Sequence, residues 1–103
     1  MAHKSEKIAV LGAGTMGAGI AQVSAQAGYE TLVYDVKQEF IDAGLARVRS
    51  FLQGSRTRGR LSAEQEQEIL DRFRTTTSLE DCAGAALVIE AAPEKLDLKR
   101  DIF

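Results

Sequence analysis

The sequence predicts an α/β fold, in which a parallel β-sheet is flanked by α-helices. Three observations indicate it. An apolar run at residues 8–11 leads directly into a glycine-rich turn, and an amphipathic helical pattern follows that turn. Further apolar runs at residues 31–34 and 87–89 are continuous, as in strands buried on both faces. Because strands alternate with helices, right-handed crossovers would give a parallel sheet with helices on both faces.

The helix after the glycine turn is expected to bury one apolar stripe. Met16, Ile20, Val23 and Ala27 recur at helical spacing. Gly28 follows the last of them and is a suitable C-terminal cap.

Two more helices and a loop are predicted for the middle of the chain. The second helix follows Asp35, and Gly54 and Gly59 mark the loop after it. Ser62 and Gln65 form a capping box that opens the third helix. The apolar positions of the second helix are Ile41, Leu45, Val48 and Leu52.

The last third of the chain predicts two strands, a short turn and a helix. Residues 73–77 resemble a short strand, and Ser78 can cap one turn that carries Cys82. Residues 87–89 form the fourth strand. Pro93 suits the first turn of a helix that would run to Phe103. The sheet is therefore expected to be truncated after the fourth strand and the helix that follows it.

Composition limits the class of protein. The 103 residues carry a formal net charge of −2, which excludes a globally basic nucleic-acid binder. No apolar run reaches the roughly 18 residues that a membrane span requires. The single cysteine, Cys82, permits no internal disulfide, which fits a reducing cytosol and predicts a cytoplasmic protein. We interpret Cys82 as a small packing residue rather than a nucleophile.

The glycine turn has the spacing of a dinucleotide-binding motif. In GAGTMG, Gly12 would permit the tight turn, Gly14 the approach of a pyrophosphate, and Gly17 close packing of helix on strand. Asp35 lies 18 residues beyond Gly17 and 23 beyond Gly12, which brackets the usual spacing of about 20. The N-terminus of the following helix would offer free N–H groups to phosphates. The alternative is a glycine turn that binds no ligand.

Two longer runs carry a resemblance to a known family. IAVLGAGTMGAGIAQVSAQAGYETLVYDV and LVIEAAPEKLDLKRDIF resemble the N-terminal cofactor-binding domain of the NAD-dependent 3-hydroxyacyl-CoA dehydrogenases. The continuation TMGAGIAQ and the pattern E-A-x-x-E-x-L-x-x-K make the resemblance specific. It implies a Rossmann-type domain of an enzyme that oxidises the 3-hydroxyl of an acyl-CoA thioester and passes hydride to NAD, in fatty-acid metabolism.

The resemblance also implies the cofactor site. Asp35 would accept hydrogen bonds from the adenosine ribose, and the backbone from Ala13 to Met16 would hold the pyrophosphate. Ala92, Glu94 and Lys99 would face the nicotinamide half at the carboxyl end of the fourth strand. From spacing alone, Glu94 could instead complement a helix dipole and Lys99 could be an exposed helix charge. The expected cofactor-binding residues are Gly12, Ala13, Gly14, Thr15, Met16, Gly17, Asp35, Ala92, Glu94 and Lys99.

No catalytic or metal-ligating residue is expected within residues 1–103. The family's catalytic serine, histidine, glutamate and asparagine follow further along, and the only histidine here is His3. The family's C-terminal domain, which binds acyl-CoA and forms the homodimer, is likewise expected to be absent. The resemblance therefore implies an incomplete domain that is inactive alone. Because the outer edge of the fourth strand and the last helix would be left uncovered, the fragment is expected to self-associate through one of them or to be much less stable than the parent protein.

An arginine cluster leaves two interpretations open. It falls in an acid-free stretch, residues 43–63, and four acids follow soon after. In the family the corresponding helical hairpin contributes to coenzyme A binding, so the arginines could meet coenzyme A phosphates. Alternatively they pair with the acids that follow. The cluster consists of Arg47, Arg49, Arg56, Arg58 and Arg60.

Three function classes remain open from the sequence. The first is the NAD-binding portion of a 3-hydroxyacyl-CoA dehydrogenase. The second is a β-hydroxyacid dehydrogenase with another substrate class. The third is a non-catalytic NAD-binding protein that keeps the fold.

Overall fold

A five-stranded β-sheet with three α-helices is built from residues 6–92 and 95–99, the part of the chain that this computed structural model describes. A 3-10 turn at Leu79–Cys82 lies between the third and fourth strands. The elements are β1 (Lys7–Leu11), α1 (Thr15–Gln26), β2 (Glu30–Tyr34), α2 (Gln38–Thr57), α3 (Ala63–Asp71), β3 (Phe73–Thr76), β4 (Leu87–Ala92) and β5 (Lys95–Lys99).

The strand order is β3-β2-β1-β4-β5, and β1 to β4 are mutually parallel. The predicted parallel sheet is confirmed. The order runs outward from β1 to β3 and then returns to the other side of β1 with β4. The glycine turn follows β1, so it lies at the carboxyl edge where the strand order reverses, which is where open α/β sheets bind ligands.

Two apolar clusters lie on opposite faces of the sheet, as alternation along β1 requires. Ile8 and Val10 pack under α1 and α2, whereas Ala9 contacts the segment of the 3-10 turn. Among the described residues, all three helices pack on the first face. The sequence analysis predicted helices on both faces, whereas among the described residues the second face carries the segment of the 3-10 turn.

Residues 95–99 form a strand, β5, where the sequence analysis predicted a helix over 93–103. The helix prediction is wrong for these residues. Lys95-Leu96-Asp97-Leu98-Lys99 alternates charged and apolar residues with the period of a strand, and it pairs antiparallel with β4. The outer edge of β4, predicted to be exposed, is therefore paired. Residues 93, 94 and 100–103 lie outside the described part of the chain.

The buried face of α1 also differs from the predicted stripe. Met16 and Val23 are exposed, with 46% and 64% of their surface accessible, and Ala27 is exposed at the C-cap. Only Ile20 of the predicted stripe is partly buried. The helix lies so close to β1 that most of its buried positions carry small side chains. Its inner face includes Gly17, Ala18, Ala21 and Ala25.

Of the three predicted helix caps, those at Gly28 and Ser62 form and that at Ser78 does not. Gly28 has a positive φ of 104° after α1, and the N–H of Tyr29 donates to Ser24 O (3.1 Å), as in a Schellman cap. The Ser62–Gln65 capping box of α3 is confirmed, with both hydrogen bonds present. The Ser78 cap is wrong, because its side chain caps nothing; instead its N–H donates to Thr76 Oγ1 (2.9 Å).

Cys82 is fully buried against Ala9, Leu32 and Val88 on the second face of the sheet. Burial raises the pKa of its thiol, the neighbouring charge of Asp81 raises it further, and Lys7 opposes both. The prediction that Cys82 is a packing residue is confirmed.

None of the helices in the described part of the chain has the length and apolar content that a membrane-spanning helix requires.

Candidate functional site

The glycine turn after β1 owes its shape to two close backbone approaches. Gly12 has a φ of 112°, a conformation that other residues rarely adopt, and its N–H donates to Tyr34 O at 2.7 Å. A side chain at Gly12 would overlap the carbonyl of Ala91, and one at Gly17 would overlap the carbonyl of Gly12. The two outer glycines of the motif therefore allow β1, α1 and β4 to pack closely against one another.

Gly14, the middle glycine, faces open space instead. A Cβ placed on it would meet no atom within 4 Å. Gly14 is also the N-cap of α1, where no side chain caps the helix and no acidic residue lies in the first turn. The first intrahelical hydrogen bond runs from Ala18 N–H to Gly14 O (2.8 Å), so the N–H groups of Thr15, Met16 and Gly17 have no helical acceptor. An unobstructed helix N-terminus of this kind fits a diphosphate.

Asp35, at the end of β2, holds the glycine turn in place. Its Oδ2 accepts a hydrogen bond from Ala13 N–H at 2.9 Å, and its Oδ1 accepts one from Val36 N–H at 2.7 Å. The N–H of Ala13, which the resemblance assigned to the pyrophosphate, is therefore used within the protein. Each carboxylate oxygen retains a second lone pair, so Asp35 can still accept from a ligand hydroxyl.

A cleft of about 950 Å³ joins these features. Its floor is the glycine turn, and Asp35 and α2 form one side. The cleft is lined by Gly12, Ala13, Gly14, Thr15, Met16, Gly17, Asp35, Phe40, Ala43, Arg47 and Ala91.

The α2 wall of the cleft was missed by the sequence analysis. Phe40, Ala43 and Arg47 lie at i, i+3 and i+7, on the side of α2 adjacent to its buried stripe. Gly44 allows this helix to touch the glycine turn, because a Cβ there would lie 2.5 Å from Ala13 O. The helical spacing was visible in the sequence, but the contact with the turn depends on tertiary packing.

The charges lining the cleft are few. Among the described residues, Asp35 is the one carboxylate and Arg47 the one cation that line it. Lys37, the nearest basic residue to Asp35 in sequence, instead lies with its Nζ 5.7 Å from the centre of the Phe40 ring.

The structure brings together most, but not all, of the predicted site. Gly12 to Gly17 and Asp35 line one cleft, and Ala92 ends β4 at the same edge. Lys99 is paired with Val88, four residues back from Ala92, or about 13 Å along the strand. The predicted position of Lys99 at the carboxyl end of β4 is therefore wrong, and its role toward the cofactor stays a prediction. Glu94 lies outside the described residues.

The arginine cluster divides into residues with different surroundings. Arg56 Nε forms an ion pair with Glu66 Oε1 at 2.8 Å, which links α2 to α3. That is the pairing with downstream acids considered as one alternative. Arg47 lines the cleft, and Arg49, Arg58 and Arg60 are exposed.

A parallel sheet that reverses order at β1, with a glycine turn at an open helix N-terminus and an acid ending β2, defines a dinucleotide-binding domain. Sequence comparison gives the particular family. Residues 7–103 match the family described as 3-hydroxyacyl-CoA dehydrogenase, NAD binding domain. The chain belongs to this family, as the resemblance predicted.

Individual relatives agree with the family assignment. The chain is 42% identical over 97 residues to a probable 3-hydroxybutyryl-CoA dehydrogenase of Deinococcus radiodurans, covering 94% of this chain and 34% of that protein. It is 41% identical over 98 residues to 3-hydroxyadipyl-CoA dehydrogenase of Escherichia coli, covering 95% of this chain and 21% of that protein. The chain thus spans a fifth to a third of the length of these relatives.

Solved structures show the same fold. The crystal structure of FadB2 from Mycobacterium tuberculosis superimposes with a TM-score of 0.85 at 35% identity, over 90% of this chain and 33% of that one. (S)-3-hydroxybutyryl-CoA dehydrogenase PaaH1 from Ralstonia eutropha gives a TM-score of 0.84 at 33% identity, over 88% of this chain and 32% of that one.

Proposed function

We propose that the chain binds NAD in the cleft above the glycine turn, with the pyrophosphate at the N-terminus of α1 and the adenosine ribose on Asp35. The open face of Gly14 carries this proposal, because a diphosphate needs backbone N–H groups that no side chain obstructs. The cofactor would supply the hydride-accepting ring. The protein would bind and orient it through Gly14, Thr15, Met16 and Asp35.

We expect NADH to bind more tightly than NADPH. Asp35 would accept hydrogen bonds from a free ribose 2′-hydroxyl, whereas its charge would repel a 2′-phosphate. In Asp35→Ala, NADH binding should weaken by about 1–3 kcal/mol, the cost of leaving a recognised polar group unpaired. Titration calorimetry with both nucleotides measures this.

Two variants separate recognition from structure in that experiment. Asp42→Ala removes an exposed carboxylate of α2 that accepts a hydrogen bond from Gln38 Nε2 (2.9 Å) and does not line the cleft, so it should leave affinity unchanged. Asp35→Asn keeps an acceptor for Ala13 N–H but removes the charge, so the preference against NADPH should shrink. NADPH binding as tightly as NADH to the unmodified chain would contradict the assignment of Asp35.

For the whole protein we propose the reaction named for its relatives, oxidation of a 3-hydroxyacyl-CoA to the 3-oxoacyl-CoA by hydride transfer to NAD, within fatty-acid metabolism. Identity of about 40% to the named dehydrogenases, in Deinococcus radiodurans and Escherichia coli, favours this over a β-hydroxyacid dehydrogenase of another substrate class. A cytoplasmic location and a homodimer belong to the same proposal, and so do coenzyme A contacts from Arg58 and Arg60, which are exposed just after α2.

The 103 residues alone should not reduce acetoacetyl-CoA with NADH. Hydride transfer at a hydroxyl carbon needs a group that exchanges the hydroxyl proton, commonly a histidine, and the only histidine of the sequence, His3, precedes β1 along the chain. Absorbance of NADH at saturating acetoacetyl-CoA measures turnover. Activity that co-purifies with the chain would show that the catalytic base lies within it, while binding without turnover is the expected result.

A further inference from the structure

We propose that Arg47 is a direct ligand of the cofactor's pyrophosphate, acting across the cleft from the N-terminus of α1. This inference rests on the proposed function, since it concerns the same cleft. It assigns to Arg47 a contact that neither the glycine motif nor the acid of β2 supplies.

The packing of α2 against the glycine turn places Arg47 beside the cleft. Gly44 packs so closely that a Cβ would lie 2.5 Å from Ala13 O and 3.1 Å from Ala13 Cβ. Arg47 is one helical turn further along, and residues three apart on a helix are neighbours, about 5–6 Å between Cβ atoms. The base of the Arg47 side chain is thereby held beside the glycine turn, and Arg47 lines the same cleft as Gly14 and Thr15.

The charges around the cleft leave Arg47 available to an anionic ligand. Within residues 6–92, no carboxylate pairs with Arg47, whereas Arg56 on the same helix is paired with Glu66. Asp35, the only carboxylate described in the cleft, already accepts two backbone hydrogen bonds. An unpaired guanidinium in a cleft with an uncapped helix N-terminus concentrates positive potential where a doubly charged diphosphate would lie.

The guanidinium of arginine is well suited to bind a diphosphate. A guanidinium presents several N–H donors in a planar fork that matches phosphate oxygens, and such charge-assisted hydrogen bonds are stronger than neutral ones. Thr15 and Met16 would offer backbone N–H groups from one side of the diphosphate, and Arg47 would offer its fork from the other. Two-sided contact would also limit rotation of the diphosphate.

The test compares Arg47→Gln with Arg49→Gln by titration calorimetry with NADH. Arg49 is exposed on the same helix but does not line the cleft, which makes it a matched control for net charge. We expect Arg47→Gln to weaken NADH binding about 10-fold or more, the loss of one charged hydrogen bond, and to flatten its dependence on salt. Arg49→Gln should match the unmodified chain in affinity, and both variants should keep its unfolding temperature. Arg47→Lys, which keeps the charge, should recover part of the loss.

Smaller probes locate the contact. ADP contains the diphosphate and should show the same loss in Arg47→Gln, whereas adenosine should bind both proteins equally. Unchanged NADH affinity in Arg47→Gln, an equal loss in Arg49→Gln, or a loss confined to coenzyme A added to the NADH-saturated protein would each overturn the inference while leaving NAD binding intact. Failure of the unmodified chain to bind NADH would overturn the proposed function, and the inference with it.

Discussion

Replacing Gly17 with alanine should destabilise the domain more than any other single methyl addition to α1. The added Cβ would overlap the carbonyl oxygen of Gly12, a backbone atom of a residue with a positive φ. Overpacking of this kind costs about 1–3 kcal/mol, and we expect the upper end because backbone rather than a flexible side chain must move. Denaturant unfolding followed by circular dichroism measures the change in free energy.

Gly19 provides the matched control on the same helix. A Cβ at Gly19 meets no atom within 4 Å, so Gly19→Ala should gain helix propensity and stabilise the domain by about 0.5–1 kcal/mol. The two variants add the same methyl group two residues apart and should shift stability in opposite directions. Equal effects would show that α1 can shift away from β1, contrary to the close packing of Gly17 on the Gly12 carbonyl.

Replacing Gly14 with alanine should have the reverse profile, leaving the fold nearly intact and removing most cofactor affinity. The backbone of Gly14 is in a region that alanine adopts readily, with φ −69° and ψ −168°, and its Cβ would meet no protein atom. That same methyl group would occupy the space through which a diphosphate approaches the N–H groups of Thr15 and Met16. Losing two charged hydrogen bonds of about 1.5 kcal/mol each corresponds to about 100-fold weaker NADH binding.

The experiment pairs calorimetry with unfolding on Gly14→Ala and Gly19→Ala. We expect Gly14→Ala to stay within about 1 kcal/mol of the unmodified stability, since only the N-cap preference changes. Gly19→Ala should bind NADH normally. If Gly14→Ala binds NADH as well as the unmodified chain does, the diphosphate does not pass over Gly14 and the proposed orientation of the cofactor is wrong.

The sequence predicted those parts of the domain that local chemistry determines. Gly28 and Ser62 end and begin helices through hydrogen bonds within a few residues, so their patterns are legible in the chain alone, and the GAGTMG turn is of the same kind. Asp35 was predicted from spacing, but its bond to Ala13 N–H was not. That bond depends on how β2 lies beside β1.

The predictions that were wrong or incomplete share one physical cause, which is packing between segments that are distant in the sequence. Met16 and Val23 were predicted to face the core because they are large and apolar, yet the close approach of α1 to β1 selects alanine and glycine for the inner face. Arg47 lines the cleft because Gly44 allows α2 to pack against the glycine turn. Residues 95–99 have a strand period that was read as a helix start after Pro93, and the free edge of β4 favours the strand.

The rate at which the buried Cys82 thiol reacts can report how often this face of the sheet opens. Cys82 is the only cysteine, it is fully buried beneath β1 and β4, and its raised pKa keeps the reactive thiolate scarce. A maleimide or disulfide reagent can reach it only when that face of the sheet separates, so the mass of the labelled chain counts opening events at a single position. Because a ligand that binds the closed state suppresses opening in proportion to its saturation, the labelling rate becomes a titration curve for cofactor that requires neither fluorescence nor turnover.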